Sequence, residues 1–424
     1  MAIKYDPEKR TVCLVGEKTN LYDYFEIHGY VFSKEIITRY FLSLKTKPFV
    51  ILTGISGTGK TKIAQVFADY MCQDDTEKER SSRIAFVPVR PDWMDNRGLL
   101  GYFNPLNERY HATSTLRLLL AAAKNPNKPH FLILDEMNLA KVEYYFSDFL
   151  SILESRTASH TEGEPLPLHD LKEAVAFGDD DLKIPGNLKI PSNIYITGTV
   201  NVDETTYMFS PKVLDRANVI EFNEISLEDI SSDYFDWSPK PEKPSSDEQH
   251  GEYSHLDVKI NNPDVRSNLL IKDNSFASLE DYYKALDSAE STGGMSLIVI
   301  NFLIRLLEKY HLHFGFRVVN EISRFVWLAL EPELSLDKHT ILDIQFLQKV
   351  LPKLHGTRAK LENPLRDLLA FCYDPDPSNL IDISEEKRQQ AEKFDTSACL
   401  PRTAQKCARM LRNLREQGYA SFIE

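Results

Sequence analysis

Pro48-Phe49-Val50-Ile51-Leu52-Thr53-Gly54-Ile55-Ser56-Gly57-Thr58-Gly59-Lys60-Thr61 is the stretch on which the reading of the whole chain turns. Phe49 to Leu52 is a continuous apolar run, the pattern of a strand buried on both faces. Gly54 to Thr61 fits the phosphate-binding pattern G-x-x-x-x-G-K-[ST]. Lys62 to Met71 then reads as a helix, with Ile63, Val66, Phe67 and Tyr70 recurring on one face. Strand, glycine turn and helix in that order form the context this motif requires.

The residue types follow from the chemistry. Gly54, Gly57 and Gly59 let the backbone take positive φ and approach a phosphate closely. The N–H groups of Gly54, Ile55, Ser56, Gly57, Thr58 and Gly59, with the positive end of the following helix, make a concave anion site. Lys60 reaches toward β- and γ-phosphates, and the Thr61 hydroxyl is a ligand for Mg²⁺.

Phe131-Leu132-Ile133-Leu134-Asp135-Glu136 is the second informative stretch. Four apolar residues predict a buried strand with two carboxylates at its C-terminal end, where ligands bind in open α/β sheets. Asp135 can hold Mg²⁺ and Glu136 can polarise an attacking water; the plainer reading is two acids that end a strand. Ile194 to Asn201 is another strand, and Asn201 either orients that water or caps the next turn. Arg216, in Leu214-Asp215-Arg216-Ala217-Asn218, precedes a short strand, Val219 to Phe222. It either serves the nucleotide of a neighbouring subunit or pairs locally with Asp215 or Glu221. Arg317 lies just ahead of a helix expected over Asn320 to Leu330, placed to fold back onto a phosphate of its own subunit or to act only structurally.

The 424 residues suggest two or three domains, and 42% hydrophobic with 27% charged residues is ordinary for a globular chain. A net charge of −13 argues against coating nucleic acid by bulk electrostatics. The scattered cysteines (Cys13, Cys72, Cys372, Cys399, Cys407) show no metal-ligand spacing and read as reduced thiols in a cytosolic protein. Met1 to Arg10 lacks an apolar signal region. Leu297 to Leu307 is too short to span a bilayer, so a cytoplasmic protein without membrane contact is expected.

The organisation is read as a short helical lead-in over 1–45, a phosphate-loop core over 46–237, a Pro/Ser/charged linker over 238–255 and a helical region over 256–424. Within the core, Cys72 to Ser82 reads as a charged loop. Arg90 to Gly98 reads as an aromatic- and arginine-bearing loop that packs on its own domain or faces a partner or pore. Leu139, Val142, Phe146, Phe149 and Leu153 mark one helical face, and Thr157 to Pro191 reads as an insertion or long hairpin. Arg402, Lys406, Arg409, Arg412 and Arg415 give the last helix a basic face, either solvated or turned to an acidic partner or DNA.

With these pieces in place, the chain resembles the McrB-type branch of AAA+ ATPases and GTPases, the motor subunits of modification-dependent restriction systems. Gly-Ile-Ser-Gly-Thr-Gly-Lys-Thr (54–61), Leu-Asp-Glu-Met-Asn (134–138), Gly-Thr-Val-Asn (198–201) and Leu-Asp-Arg (214–216) fall in that family's order; the likeness covers 46 to about 225 well and Phe314 to Glu321 more loosely. It implies Walker A at Gly54–Thr61, Walker B at Asp135 and Glu136, sensor 1 at Asn201, the arginine finger at Arg216 and sensor 2 at Arg317. The family's Asn-Thr-Ala-Asp-Arg-Ser signature, linked to GTP, stands here as Asn201-Val202-Asp203-Glu204-Thr205-Thr206. Its arginine is gone, so the cofactors implied are ATP or GTP, with a lean to ATP, and Mg²⁺.

The expected fold is therefore an α/β P-loop AAA+ parallel-sheet domain followed by a helical lid and C-terminal helical region. The resemblance implies NTP hydrolysis in a homo-oligomeric ring, paired with a separate McrC-like nuclease subunit that brings DNA into the complex. A MoxR-like ATPase that remodels a protein complex, and a nucleotide-gated scaffold with negligible turnover, are the rival readings.

Overall fold

The apolar runs become the middle of one parallel sheet. In the computed structural model, which describes residues 4–6, 11–13, 20–156, 163–171, 173, 175–177, 180–202, 207–222, 296–330, 336–375, 383–393 and 398–423, five strands build it. They are β1 (Phe49–Gly54), β2 (Ile84–Pro88), β3 (His130–Asp135), β4 (Ile194–Asn201) and β5 (Asn218–Phe222), ordered β5-β1-β4-β3-β2. Every neighbouring pair is parallel. All of β1 is buried, and in β4 only Asn201 is partly exposed, which is why both read as unbroken apolar runs rather than alternating ones.

Placing β4 between β1 and β3 has one consequence for function. Register pairs Asn201 with Gly54 and Gly198 with Leu134, so the C-terminal ends of three strands meet at one edge. This strand order on a phosphate loop, followed by a helical region, is the parallel-sheet α/β phosphate-loop architecture expected from the sequence.

Helices α1 (Leu21–Ile27) and α2 (Lys34–Thr46) come from the lead-in, and α2 is seated on the sheet. The Tyr40 hydroxyl lies 2.7 Å from Thr197 Oγ1, and Asn218 donates to the Ser43 carbonyl at 3.1 Å. Helix α3 (Lys60–Met71) buries Ile63, Val66, Phe67 and Tyr70 as their spacing requires. The expected loop over Cys72 to Ser82 ends instead in α4 (Glu77–Arg83). Thr76 and Glu79 close a capping box there, satisfying donors at the helix start.

Helix α5 (Ser114–Lys124) covers the β2–β3 side of the sheet. Just before it, Gly101–Asn104 and Arg109–Ala112 pair as an antiparallel hairpin that the sequence reading did not anticipate. The single face expected from Leu139 to Leu153 is broken into a 3-10 turn, Met137–Leu139, a short helix, Val142–Tyr145, and α6 (Ser147–Ser155). Glu136 takes φ 53°, and Phe146 interrupts the next helix at φ −112°, so no continuous helix can run through. Between Thr157 and Pro191, Leu166–Pro167 pairs with Asn187–Leu188 and Val175–Phe177 with Asp180–Ile184. A single turn, α7 (Pro211–Leu214), leads into β5.

The helical region comprises α8 (Ser296–Glu308), α9 (Phe316–Ala329), α10 (Lys338–Gln345), α11 (Arg358–Tyr373) and α12 (Pro401–Gln417), with α11 and α12 packed together. The linker at 238–255 and the segment 203–206 lie outside the described residues. The basic face of α12 is divided: Arg402 and Lys406 turn inward, while Arg409, Arg412 and Arg415 stay partly or fully exposed. Arg402 pairs with Glu35 at 2.6 Å, Lys406 with Glu221 at 2.7 Å, and Arg409 also reaches Glu221 at 2.5 Å. Arg415 pairs with Glu392 at 2.9 Å, while Arg412 is exposed. The spacing of the basic residues was visible in the sequence; their acids, on α2, β5 and beyond, were too distant along the chain to be.

A second ionic tie joins the helical region to the sheet. Glu321 of α9 sits between Lys47, just ahead of β1, and Lys349, paired with both. Burial alone raises the Glu321 carboxyl, but the two ammonium groups hold it at about 2, while burial brings Lys47 down to about 8 despite Glu321. Because the folded value of Glu321 lies below its ordinary 4.5, its contribution is full above about pH 4.5 and fades as pH falls toward 2. Glu321→Gln is expected to cost on the order of 3 kcal/mol near neutrality. Thermal melts across pH should show the gap to the parent closing below pH 4.5; a constant gap contradicts the assignment.

Candidate functional site

At the edge where β1, β4 and β3 end, the loop after β1 takes the shape its glycines allow. Gly54, Gly57 and Gly59 have φ of 150°, 84° and 90°, a region that residues with a Cβ rarely enter. Gly59 caps α3 with no side-chain bond to its first-turn N–H groups, leaving those donors to the loop's concave side. Lys60 is buried at 4% exposure, its ammonium donating to the carbonyls of Gly54 at 2.9 Å and Ile55 at 2.5 Å. A charge held at the centre of such a loop is the natural partner for phosphate oxygens.

From Thr61 a chain of hydrogen bonds crosses the strand ends. The Thr61 hydroxyl donates to Asp135 Oδ1 at 2.7 Å, and Thr199 Oγ1 donates to the same oxygen at 2.8 Å. Thr199 in turn accepts from the Glu136 N–H at 3.0 Å, and Asn201 Nδ2 donates to Glu136 Oε1 at 3.2 Å. Glu136 is held at φ 53°, ψ 51°, a left-handed conformation that costs a non-glycine residue about 1–3 kcal/mol. The conformation redirects its carboxylate to Asn201, across from the loop. Thr199 was not singled out in the sequence; its signal is its place two residues before Asn201, on the same face of β4.

These donors fit a Mg²⁺ ion and a triphosphate. Thr61 and Asp135 supply adjacent hard oxygens beside a cationic, N–H-lined loop. Among the described residues no three His, Cys, Asp or Glu side chains form a cage. A magnesium ion here would take one carboxylate, one hydroxyl, substrate oxygens and water, which is its usual manner of binding.

The two arginines lie elsewhere. Phe222 of β5 stands beside Gly54 and Asn218 beside Val50. At about 3.3 Å per residue, Asn218 is roughly 13 Å back from the loop edge, and Arg216 precedes it. Arg216 therefore lies toward the N-terminal ends of the strands, at the end of the sheet away from its own loop. It pairs with Glu154 at the end of α6 and donates to the Lys212 carbonyl at 2.5 Å. Burial and Arg317 both press its guanidinium below its usual value.

Arg317 pairs with the same Glu154. Its helix begins at Phe316, four residues earlier than expected, and is tied through Glu321 to Lys47 at the start of β1. Glu154 was not foreseen, because nothing in sequence spacing links it to residues 216 and 317.

Residues 264–419 match a domain of unknown function, DUF8727. No curated protein matches the chain. Among solved structures, the chain is similar to a candidate ATPase from Cytophaga hutchinsonii, at 12% identity and a TM-score of 0.39, covering 78% of this chain and 85% of that one. It is also similar to the Saccharomyces cerevisiae Hsp104–ADP complex, at 15% identity and a TM-score of 0.30. That likeness covers 50% of this chain and 37% of Hsp104. At these scores neither adds to what strand order and the glycine loop already establish about the fold.

Proposed function

We propose that this chain binds a nucleoside triphosphate with Mg²⁺ and hydrolyses it in a ring of identical copies, each site completed by arginines from the next copy. The observation that carries this reading is the hydrogen-bonded chain Thr61–Asp135–Thr199–Glu136–Asn201, laid across three strand ends beside the buried Lys60. Lys60 and the loop N–H groups hold the β- and γ-phosphates. Thr61 and Asp135 would hold Mg²⁺, which would supply charge neutralisation to the bound triphosphate. Glu136 polarises the attacking water, and Asn201 keeps its carboxylate aimed. Arg216, unable to reach its own loop, serves the neighbour's γ-phosphate, and Arg317 beside it is carried to the same place.

The finer role proposed is that of an McrB-like motor in a restriction or anti-phage defence system, driving DNA past a separate McrC-like nuclease. The order of the four motifs supports it. With Arg402, Lys406, Arg409 and Arg415 of α12 paired to the protein's own acids, DNA contact is assigned to the assembled complex rather than to that helix. Steady-state turnover with DNA and with an McrC-like subunit tests the role. Stimulation by both supports it, whereas turnover answering only to a protein client favours the MoxR-like reading, and negligible turnover favours the scaffold.

Nucleotide choice gives a separate expectation. With the family's arginine absent from Asn201–Thr206, ATP should be hydrolysed at least as fast as GTP in side-by-side assays. A strong preference for GTP contradicts the lean to ATP.

A further inference from the structure

Residues Phe346–Val350, following α10, form a single π-helical turn, and Lys349 within it has a side chain of 0% exposure. Such turns are rare and recur at functional positions. A buried ammonium is costly unless every donor is used. Here the Lys349 Nζ donates to the Ala217 carbonyl at 2.8 Å and approaches the Asp215 carbonyl at 3.4 Å. Those are the two carbonyls that flank Arg216. Lys353, in the next turn, pairs with the Asp215 carboxylate at 2.5 Å. Lys349 thus holds the backbone on either side of one arginine, and Lys353 holds the side chain of the residue before it.

The same ammonium also pairs with Glu321, one helical turn beyond Arg317 on α9. Lys349 therefore touches the supports of both arginines, the loop that carries Arg216 and the helix that carries Arg317. Glu154 pairs with both guanidinium groups. We propose that Lys349 is a positioning residue that sets Arg216 and Arg317 for delivery to the neighbouring subunit's triphosphate. The helical region thereby governs turnover by a neighbour's site rather than by its own. This inference rests on the reading that Arg216 acts on the next subunit.

Misplacing a transition-state group by about 1 Å can cost ~10²-fold in rate. Full-length Lys349→Met is accordingly expected to lose at least ~10-fold in kcat, with KM and binding of a fluorescent ATP analogue little changed. Mixing separates positioning from a general structural role. Lys349→Met subunits keep their own Lys60 and Glu136, so mixing them with Glu136→Gln subunits should restore turnover. Mixing them with Arg216→Ala subunits should restore none, because both lack a working arginine donor.

A parent-like kcat overturns the proposal, and so does rescue by Arg216→Ala instead of Glu136→Gln. If Lys349→Met does not melt cooperatively, Lys353→Met releases the same loop from a side chain that is 17% exposed. A lower kcat with the same mixing pattern supports the proposal; a parent-like kcat overturns it. Arg216→Ala is run alongside. Should it turn over like the parent, the reading beneath this proposal fails; should it be inactive while Lys349→Met is not, only the role of Lys349 fails.

Discussion

Lys60→Ala subunits should fail to hold a triphosphate, while Glu136→Gln subunits hold it and do not turn it over. The Lys60 ammonium is buried inside the loop, in contact with the carbonyls of Gly54 and Ile55. Truncating one member of a buried, hydrogen-bonded charge pair typically costs about 2–5 kcal/mol, so binding should weaken by roughly 30- to 5,000-fold. The glutamine in Glu136→Gln can still meet Asn201, and Thr61, Asp135 and Thr199 are untouched, so binding should stay near the parent's. Its amide cannot accept a proton, and the loss of general-base action is about 10²–10⁴-fold in rate. Binding titrations beside single-turnover hydrolysis separate the two effects. Equal turnover in Glu136→Gln and the parent would remove Glu136 from the chemistry.

Arg216→Ala should be the more severe defect in rate and among the mildest in binding. A planar, permanently charged guanidinium suits charge spread over phosphoryl oxygens, and such arginines contribute roughly 10³–10⁵ in rate. The register of β5 keeps Arg216 from its own loop, so its removal leaves nucleotide affinity within a few fold. Turnover per subunit should rise with protein concentration in the parent and stay flat and low in the variant. Affinity lost in parallel with rate would point instead to a structural role through Glu154.

The parts of this site that sequence revealed are those specified locally. Buried parallel strands show as continuous apolar runs, and the glycine spacing of 54–61 states its own backbone demands. The capping residues Thr76 and Glu79 were equally local, but the surrounding charges of 72–82 masked the helix they start. What stayed hidden depends on pairing across the fold. Thr199 matters because β4 lies between β1 and β3, and that order is set by packing. Glu154 gathers two arginines from separate segments, and Lys349 meets a loop 134 residues away. Where a helix starts can be inferred from its neighbours in sequence, but which edge of the sheet it stands against cannot.

Composite sites are the centre of this account, and mixing two inactive proteins tests them most directly. Arg216→Ala and Glu136→Gln subunits, each inactive alone, are combined under conditions where subunits exchange, and turnover is followed against their ratio. A site with an intact Glu136 in one copy and an intact Arg216 from the next is then re-formed at some interfaces. The account predicts that activity returns and is greatest at an intermediate ratio. Mixtures that stay as inactive as their components, with exchange demonstrated independently, would contradict it.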